Sequence, residues 1–358
     1  MSEEGFEPGF VNAHTHLYGG LAPLGLPVPA EPPERFRDIL ERVWWRLDRS
    51  LDARALRASA RYYVAHALLS GTTALVDHHE SPGFIEGSLD VLAEACAELG
   101  GRALLCYGAT ERNGGRDEAR RGLAECRRFI ETSRHPLLRG AVGLHAPFTV
   151  SDATIHEAGA LCRELGAVLH LHVAESDDDT LDARRLGYAG PVERLLALDA
   201  LVPGSILAHG VGLERSAVEL AARAGAWIVQ NPRSNLQNRV GYPSALGASE
   251  LVALGTDGFP PEPRAEAEAL SRAAASQREP PSVVSRRVGR GRRLLEAHFG
   301  VEALARDRVR AVDGRVVEVH VDGRAVVREG ELLSAELAEI EAEAKQVAPS
   351  LWTRMNEP

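Results

Sequence analysis

The sequence predicts an α/β fold: a closed (β/α)8 barrel with a reduced β-sheet appended on its C-terminal side. Three observations carry this. Eight short apolar, strand-like runs alternate with helical segments over residues 9–258, and such alternation means parallel strands joined by crossover helices. Eight units over about 250 residues is the size of a closed barrel. Nearly every run also ends, at its C-terminal edge, in a histidine or another polar cluster. That edge is where catalytic residues converge in such barrels. An open doubly wound sheet competes, but no GxGxxG turn follows the first strand.

The first run, Gly9 to His14, ends in His14-x-His16. Pro23 to Pro33 is a proline-rich loop. Residues 34–70 read as helix, with Trp44, Trp45 and Leu47 on an apolar face and Gly71 as the stop. Thr72 to Val76 is the second strand, running into Asp77-His78-His79. A helix at 86–99 leads to the strand 103–107, and a charged helix at 116–132 leads to the strand 140–144, which ends in His145-Ala-Pro147. Ser151 caps a helix at 152–165. The strand 167–172 ends in His172-Val-Ala-Glu175. A helix at 190–199 precedes the strand 205–208 and His209. A helix at 214–224 precedes 226–229 and Asn231. The strand 251–254 runs into Thr256-Asp257-Gly258. Beyond it come a loop and helix over 259–282 and a helix at 286–298. Over 308–333 short alternating runs are separated by Asp-Gly at 313–314 and 322–323, a strong hairpin signal. A charged helix at 334–346 and a tail close the chain.

Composition bounds the function. The chain has 358 residues, 44% hydrophobic and 26% charged, as in a soluble globular protein. A formal net charge of −10 with scattered arginines argues against nucleic acid and against an anionic membrane surface. The four cysteines form no CxxC and read as reduced, buried thiols of a cytoplasmic protein. No secretory signal or membrane-spanning run is seen.

A mononuclear catalytic metal needs three or four protein ligands and an open position. His14 and His16 alternate on one strand and so point the same way. With His172 and Asp257 they make an N3O donor set. A metal there would lower the pKa of its water toward neutrality. Glu175, three residues past His172, can take that water's proton and pass it to a leaving nitrogen. His209 can orient the attacking oxygen and stabilise the adduct. Singly, each residue has a plainer reading: Asp257-Gly258 as a turn, Glu175 as a solvated group before the acidic run 177–179, His209-Gly210 as a loop. Their recurrence at the ends of runs one, five, six and eight is what argues for a site. His66, His135, His156, His298 and His320 fall elsewhere, and His170 reads as packed beneath the site. Arg112, Arg233 and Arg239 read as surface cations rather than partners of an anionic substrate.

Gly9-Phe-Val-Asn-Ala-His-Thr-His16, His172-Val-Ala-Glu175, Leu207-Ala-His-Gly210, Asn231-Pro-Arg-Ser-Asn235 and Gly255-Thr-Asp-Gly258 resemble the motif series of the amidohydrolase superfamily. The branch is that of the cytosine-deaminase-like aminohydrolases and chlorohydrolases. Thr72 to Pro82, Gly143 to Ser151, Asn231 to Gly241 and the tail from Ala344 to Met355 resemble its SsnA subgroup. The resemblance implies a barrel over 9–300, a β-sandwich remnant over 301–333, and a C-terminal helix and tail over 334–358. It implies zinc, or else iron, on His14, His16, His172 and Asp257, with Glu175, His209 and Asp257 as the catalytic set. His145, Asn231, Ser234 and Asn235 would contact substrate. The chain's single lysine, Lys345, lies far from any barrel strand, so a carboxylated lysine bridging two metals is excluded and one ion is expected. The N-terminal β-segment usual in the family is shortened here. Strands near 309–327 would then need covering, with a homo-oligomer as the expected solution. The expected activity is deamination of an amino-substituted heterocycle or cyclic amidine. A chlorohydrolase using the same site, or a metal-binding homologue without turnover, is the alternative. The expected partner is a small molecule.

Overall fold

Parallel β-strands dominate the computed structural model, which describes residues 5–356. The strands are β1 (Phe6–Pro8), β2 (Phe10–Thr15), β3 (Thr72–His79), β4 (Arg102–Ala109), β5 (Leu138–Gly140), β6 (Val142–Leu144), β7 (Leu169–Val173), β8 (Ile206–His209), β9 (Trp227–Gln230), β10 (Val252–Leu254), β11 (Arg308–Val312), β12 (Arg315–Val321), β13 (Arg324–Arg328) and β14 (Glu331–Leu332). One sheet runs β10-β9-β8-β7-β6-β4-β3-β2, with β5 paired to β4. A parallel bridge from Thr15 to Asp257 joins its two ends, and the Thr256 and Asp257 amides both donate to the His14 carbonyl, at 3.0 Å each. The sheet is therefore a barrel, as the alternation predicts.

The strands are buried along nearly their whole length because helices cover their outer faces. Inside, small and branched residues (Val11, Ala13, Ala74, Val76, Leu104, Val229, Ala253) fill one apolar cluster with Leu294 and Leu295 of the helix Ser282–Phe299. No helix among the described residues is long and apolar enough to cross a membrane.

The second sheet is antiparallel, in the order β1-β11-β12-β13-β14. The Asp-Gly turns sit where expected, with Asp313, Gly314, Asp322 and Gly323 all at positive φ. Strands 309–327 are not the edges: β1 pairs with β11, and β14 with β13.

Three local expectations differ. The region 34–70 is two helical stretches: Ser50 to Asp52 interrupt it, and Asp52 caps the helix Ala53–Leu69 by accepting from the Ala55 amide at 2.7 Å. The acidic run 177–179 begins a helix, Asp178–Arg185, where its carboxylates face the positive end of the dipole. The last helix runs from Leu337 to Met355, passing Pro349. Its Val347, Ala348, Leu351, Trp352 and Met355 are buried in the cluster that holds the helix Ala53–Leu69; burial outweighs the backbone bond lost at proline.

Candidate metal and catalytic site

Six of the eight barrel strands deliver these polar side chains to one mouth. His14 and His16 come from the end of β2, His78 and His79 from β3, His172 from β7 and His209 from β8. Asn231 and Asp257 follow β9 and β10. All are at most intermediate in exposure, and His14 and His209 are fully buried. His209 (φ 76°) and Asp257 (φ 54°) adopt left-handed backbone conformations. Such residues are held there only when the surrounding structure dictates it, typically at a cost of about 1–3 kcal/mol each.

The imidazoles are aimed by groups outside the cluster. His16 Nδ1 lies 2.6 Å from the His78 carbonyl, and His172 Nδ1 lies 2.8 Å from the His145 carbonyl. A carbonyl only accepts, so both Nδ1 atoms carry the proton. Their Nε2 lone pairs then face each other at 3.2 Å. Asp257 Oδ1 is 2.8 Å from His16 Nε2 and 3.3 Å from His14 Nε2. The His14 and His209 Nε2 atoms are buried and have no hydrogen-bond partner. Donor atoms of His14, His172, His209 and Asp257 all lie within 4.8 Å of one another. Converging nitrogen lone pairs beside a carboxylate fit a divalent ion with N/O preference, and the carbonyl partners fix tautomers as second-shell groups do. The electrostatics agree. Burial acts to lower His16, but the hydrogen bond and charge of Asp257 outweigh it and raise the group to about 9. Burial lowers His14 to about 3. Asp257 thus draws positive charge to the Nε2 side of His16, while burial keeps His14 a neutral donor.

Beside this donor set stand Glu175 and His209. Glu175 Oε2 is 3.5 Å from His209 Nε2, and Glu175 Oε1 accepts from Asn238 Nδ2 at 3.1 Å. Burial pushes Glu175 up to about 7, partly opposed by His209. His209 Nδ1 donates to Asn235 Oδ1 at 2.9 Å.

His14, His16, His172, Asp257, Glu175 and His209 are thus gathered at one mouth. His145 lines the same pocket, its Nδ1 3.0 Å from Thr149 Oγ1. The other three residues expected to contact substrate lie one layer deeper. Asn231 is buried, 3.4 Å from His209 Nδ1. Ser234 donates to Asp257 Oδ2, and Asn235 holds His209. None of the three lines the pocket; they contact the side chains that do. His170 is beneath the site as expected, with Nε2 2.9 Å from His14 Nδ1. Arg112 is buried and paired with Asp48 at 2.8 Å and Glu80 at 3.1 Å; Arg233 pairs with Glu266.

The pocket above the cluster has walls of Tyr18, Phe36, Leu40, Trp44, Trp45 and Phe148. Sequence reading missed these walls. The segment Leu40–Trp44 is a π-helical turn, a feature found at functional sites. Both Trp44 and Trp45 reach the pocket. Adjacent residues on a regular helix point about 100° apart, so a Trp-Trp pair was the available signal that one apolar face would not hold both. Asn238 also lines the pocket, and so does Glu80, unforeseen.

Comparison with known proteins gives a consistent picture. The model of the amidohydrolase family matches residues 6–312. The chain is 32% identical over 260 residues to the 5′-deoxyadenosine deaminase of Methanopyrus kandleri, covering 70% of this chain and 56% of that protein. It is 30% identical over 269 residues to the 8-oxoguanine deaminase of Pseudomonas aeruginosa, covering 70% and 59%. The match spans little more than half the length of these curated relatives. Among solved structures, an adenosine deaminase from Xanthomonas campestris with bound zinc superposes with a TM-score of 0.82 at 22% identity, covering 97% of this chain and 86% of that one. An atrazine chlorohydrolase from Arthrobacter aurescens, complexed with zinc, gives 0.76 at 21% identity, covering 96% and 88%. At these identities the superpositions establish the fold.

Proposed function

Since the chain belongs to the amidohydrolase family, we propose that its barrel mouth hydrolyses a carbon–nitrogen bond, releasing ammonia from an amino-substituted heterocycle or cyclic amidine. The observation that carries this is the Glu175–His209 pair, 3.5 Å apart at the edge of the His/Asp cluster. A divalent ion on His14, His16, His172 and Asp257, zinc by preference and otherwise iron(II), would supply Lewis acidity to the attacking water. His209 gives its Nδ1 proton to Asn235, so Nε2 is left to accept a hydrogen bond from that water and aim its oxygen. Glu175 takes the proton as the oxygen adds to the amino-bearing carbon. Its pKa, pushed up by burial to about 7, suits both directions of transfer near neutrality. It then hands the proton to the leaving nitrogen, the C–N bond breaks, and ammonia departs. Asn238 holds the carboxylate through both transfers. The aromatic walls exclude water and stack on a flat ring. The deamination named in the curated relatives supports this reading. Four free, buried cysteines support a reducing cytoplasm as its location, and the open outer edges of β1 and β14 support a homo-oligomer.

The test is metal analysis of the purified protein together with ammonia release across purines, pyrimidines, pterins and cyclic ureas. About one equivalent of metal, lost in Asp257→Ala, with ammonia lost in Glu175→Gln, is the expected result. Metal without ammonia would point to another leaving group, such as chloride, which needs no proton from Glu175. Absence of metal after reconstitution would overturn the proposal.

A further inference from the structure

The charges that face the pocket say what kind of heterocycle it takes, an inference that rests on reading this pocket as the substrate site. Four carboxylates line it, from Glu80, Glu175, Asp179 and Asp257, and among the described residues no arginine or lysine does. Asp257 belongs to the donor set and Glu175 to the proton transfer. Glu80 and Asp179 remain. Glu80 is 2% exposed; around it stand the Arg112 guanidinium at 3.1 Å, which also holds Asp48 at 2.8 Å, and the imidazoles of His78 at 3.3 Å and His145 at 3.9 Å. The one guanidinium there faces two carboxylates. Asp179 accepts from the backbone amides of Phe148 and Ala174 at 3.1 and 2.6 Å. The next arginine behind it, Arg194, is committed to Asp152 and Asp182.

The walls act in the same direction. Tyr18, Phe36, Trp44, Trp45 and Phe148 supply aromatic walls, which suit flat neutral rings and give an anion nothing. Arg37 stands at the wall, but its guanidinium lies 5.4 Å from both the Trp45 and the Phe148 rings and pairs with Glu41 at 2.9 Å. Further out, Arg35 and Arg239 share the rim with Glu34 and Asp177. Among the described residues, no arginine or lysine lines the pocket itself to receive a phosphate or carboxylate carried into it.

We infer that the site selects planar amino-heterocycles with no anionic substituent, neutral or protonated, and turns away phosphorylated and carboxylate-bearing ones. Like-charge juxtaposition in a desolvated site is among the strongest means of rejecting a wrong ligand. A discrimination of about 100-fold or more is expected.

The experiment titrates the metal-loaded protein by tryptophan fluorescence, since Trp44 and Trp45 line the pocket, against matched pairs: adenosine and its 5′-monophosphate, guanosine and its 5′-monophosphate, cytidine and its 5′-monophosphate. Ammonia release is followed on the same pairs. At least one neutral member should bind about 100-fold more tightly than its phosphate. In Glu80→Gln the ratio should narrow about tenfold, and in Ser176→Arg, which places a cation at the pocket wall, by more. Equal binding within a pair, an unchanged ratio in both variants, or no binding by any neutral member would overturn the inference. Binding in the expected order without ammonia from any compound would leave the selectivity standing and sink the deaminase reading alone.

Discussion

The two ends of the barrel handle buried polar groups in opposite ways. At the N-terminal end, Arg102 opens β4 and is 1% exposed. Its Nε and a terminal nitrogen donate to the two oxygens of Asp307 at 2.8 and 2.9 Å, and the Asp322 amide adds a bond of 2.7 Å. Its guanidinium also stands 4.8 Å from the Phe299 ring. Both charges are fully engaged. At the C-terminal end the contacts are longer: His14 Nε2 stands 3.3 Å from Asp257, His209 Nε2 3.5 Å from Glu175 and His78 Nδ1 3.3 Å from Glu80, and His209 and Asp257 sit at positive φ. The same scaffold closes its polar pair tightly at one end and leaves loosely held polar atoms at the other. A buried polar group is therefore diagnostic by its partners, not by its burial.

Substitutions can break that contrast. The largest expected effect is at the catalytic mouth. Glu175→Gln should lower kcat by about 10²–10⁴-fold, with a thermal midpoint equal to or above that of the parent because a buried carboxylate has been neutralised. A clear fall in stability would place Glu175 among the structural pairs instead. Arg102→Ala should do the reverse. Leaving Asp307 charged and unpaired should cost about 3–5 kcal/mol in denaturant unfolding, while activity per folded molecule persists at low temperature. Asn235→Ala frees the His209 ring and should reduce activity or metal affinity by about 10–100-fold, with Asn235→Asp retaining more than the alanine variant. The smallest effect concerns pH. Burial, with Arg139 nearby, lowers His298 to about 4 from the usual 6.5. Its contribution is complete above pH 6.5 and is lost as pH falls toward 4, because the unfolded chain takes up the proton first. His298→Gln should flatten the stability–pH slope in that window and leave it unchanged above pH 7; a parallel slope would show that other groups set it.

The barrel was legible because parallel strands covered on both faces read as short apolar runs, and because their polar endings repeat. That His14, His16, His172, Glu175, His209 and Asp257 gather at one mouth was legible for the same reason: each ends a strand or follows one closely. The pocket walls were not. Phe36, Trp44 and Trp45 reach the mouth from a segment outside the β/α rhythm, and a π-helical turn depends on packing that no local pattern announces. Asn231, Ser234 and Asn235 were recognisable as part of the site from their motif. Whether they touch a ligand or hold His209 and Asp257 depends on depth, which a strand-end pattern does not encode. The sequence pattern ends the final helix at 346; burial of Leu351, Trp352 and Met355 carries it past Pro349 to 355.

The parallel bridge that closes the barrel is made by Asp257 itself, against Thr15, and Thr15 sits between His14 and His16. The seam of the cylinder and much of the donor set thus rest on the same few residues, more than two hundred positions apart in the chain. The site has no partial form: it comes into being only when the last strand has found the first. An ion gripped there would act as a rivet across the seam, adding coordination to the hydrogen bonds by which the Thr256 and Asp257 amides meet the His14 carbonyl. Removal of the ion would then be felt first as faster hydrogen exchange at the Thr256 and Asp257 amides, before any loss of the barrel as a whole.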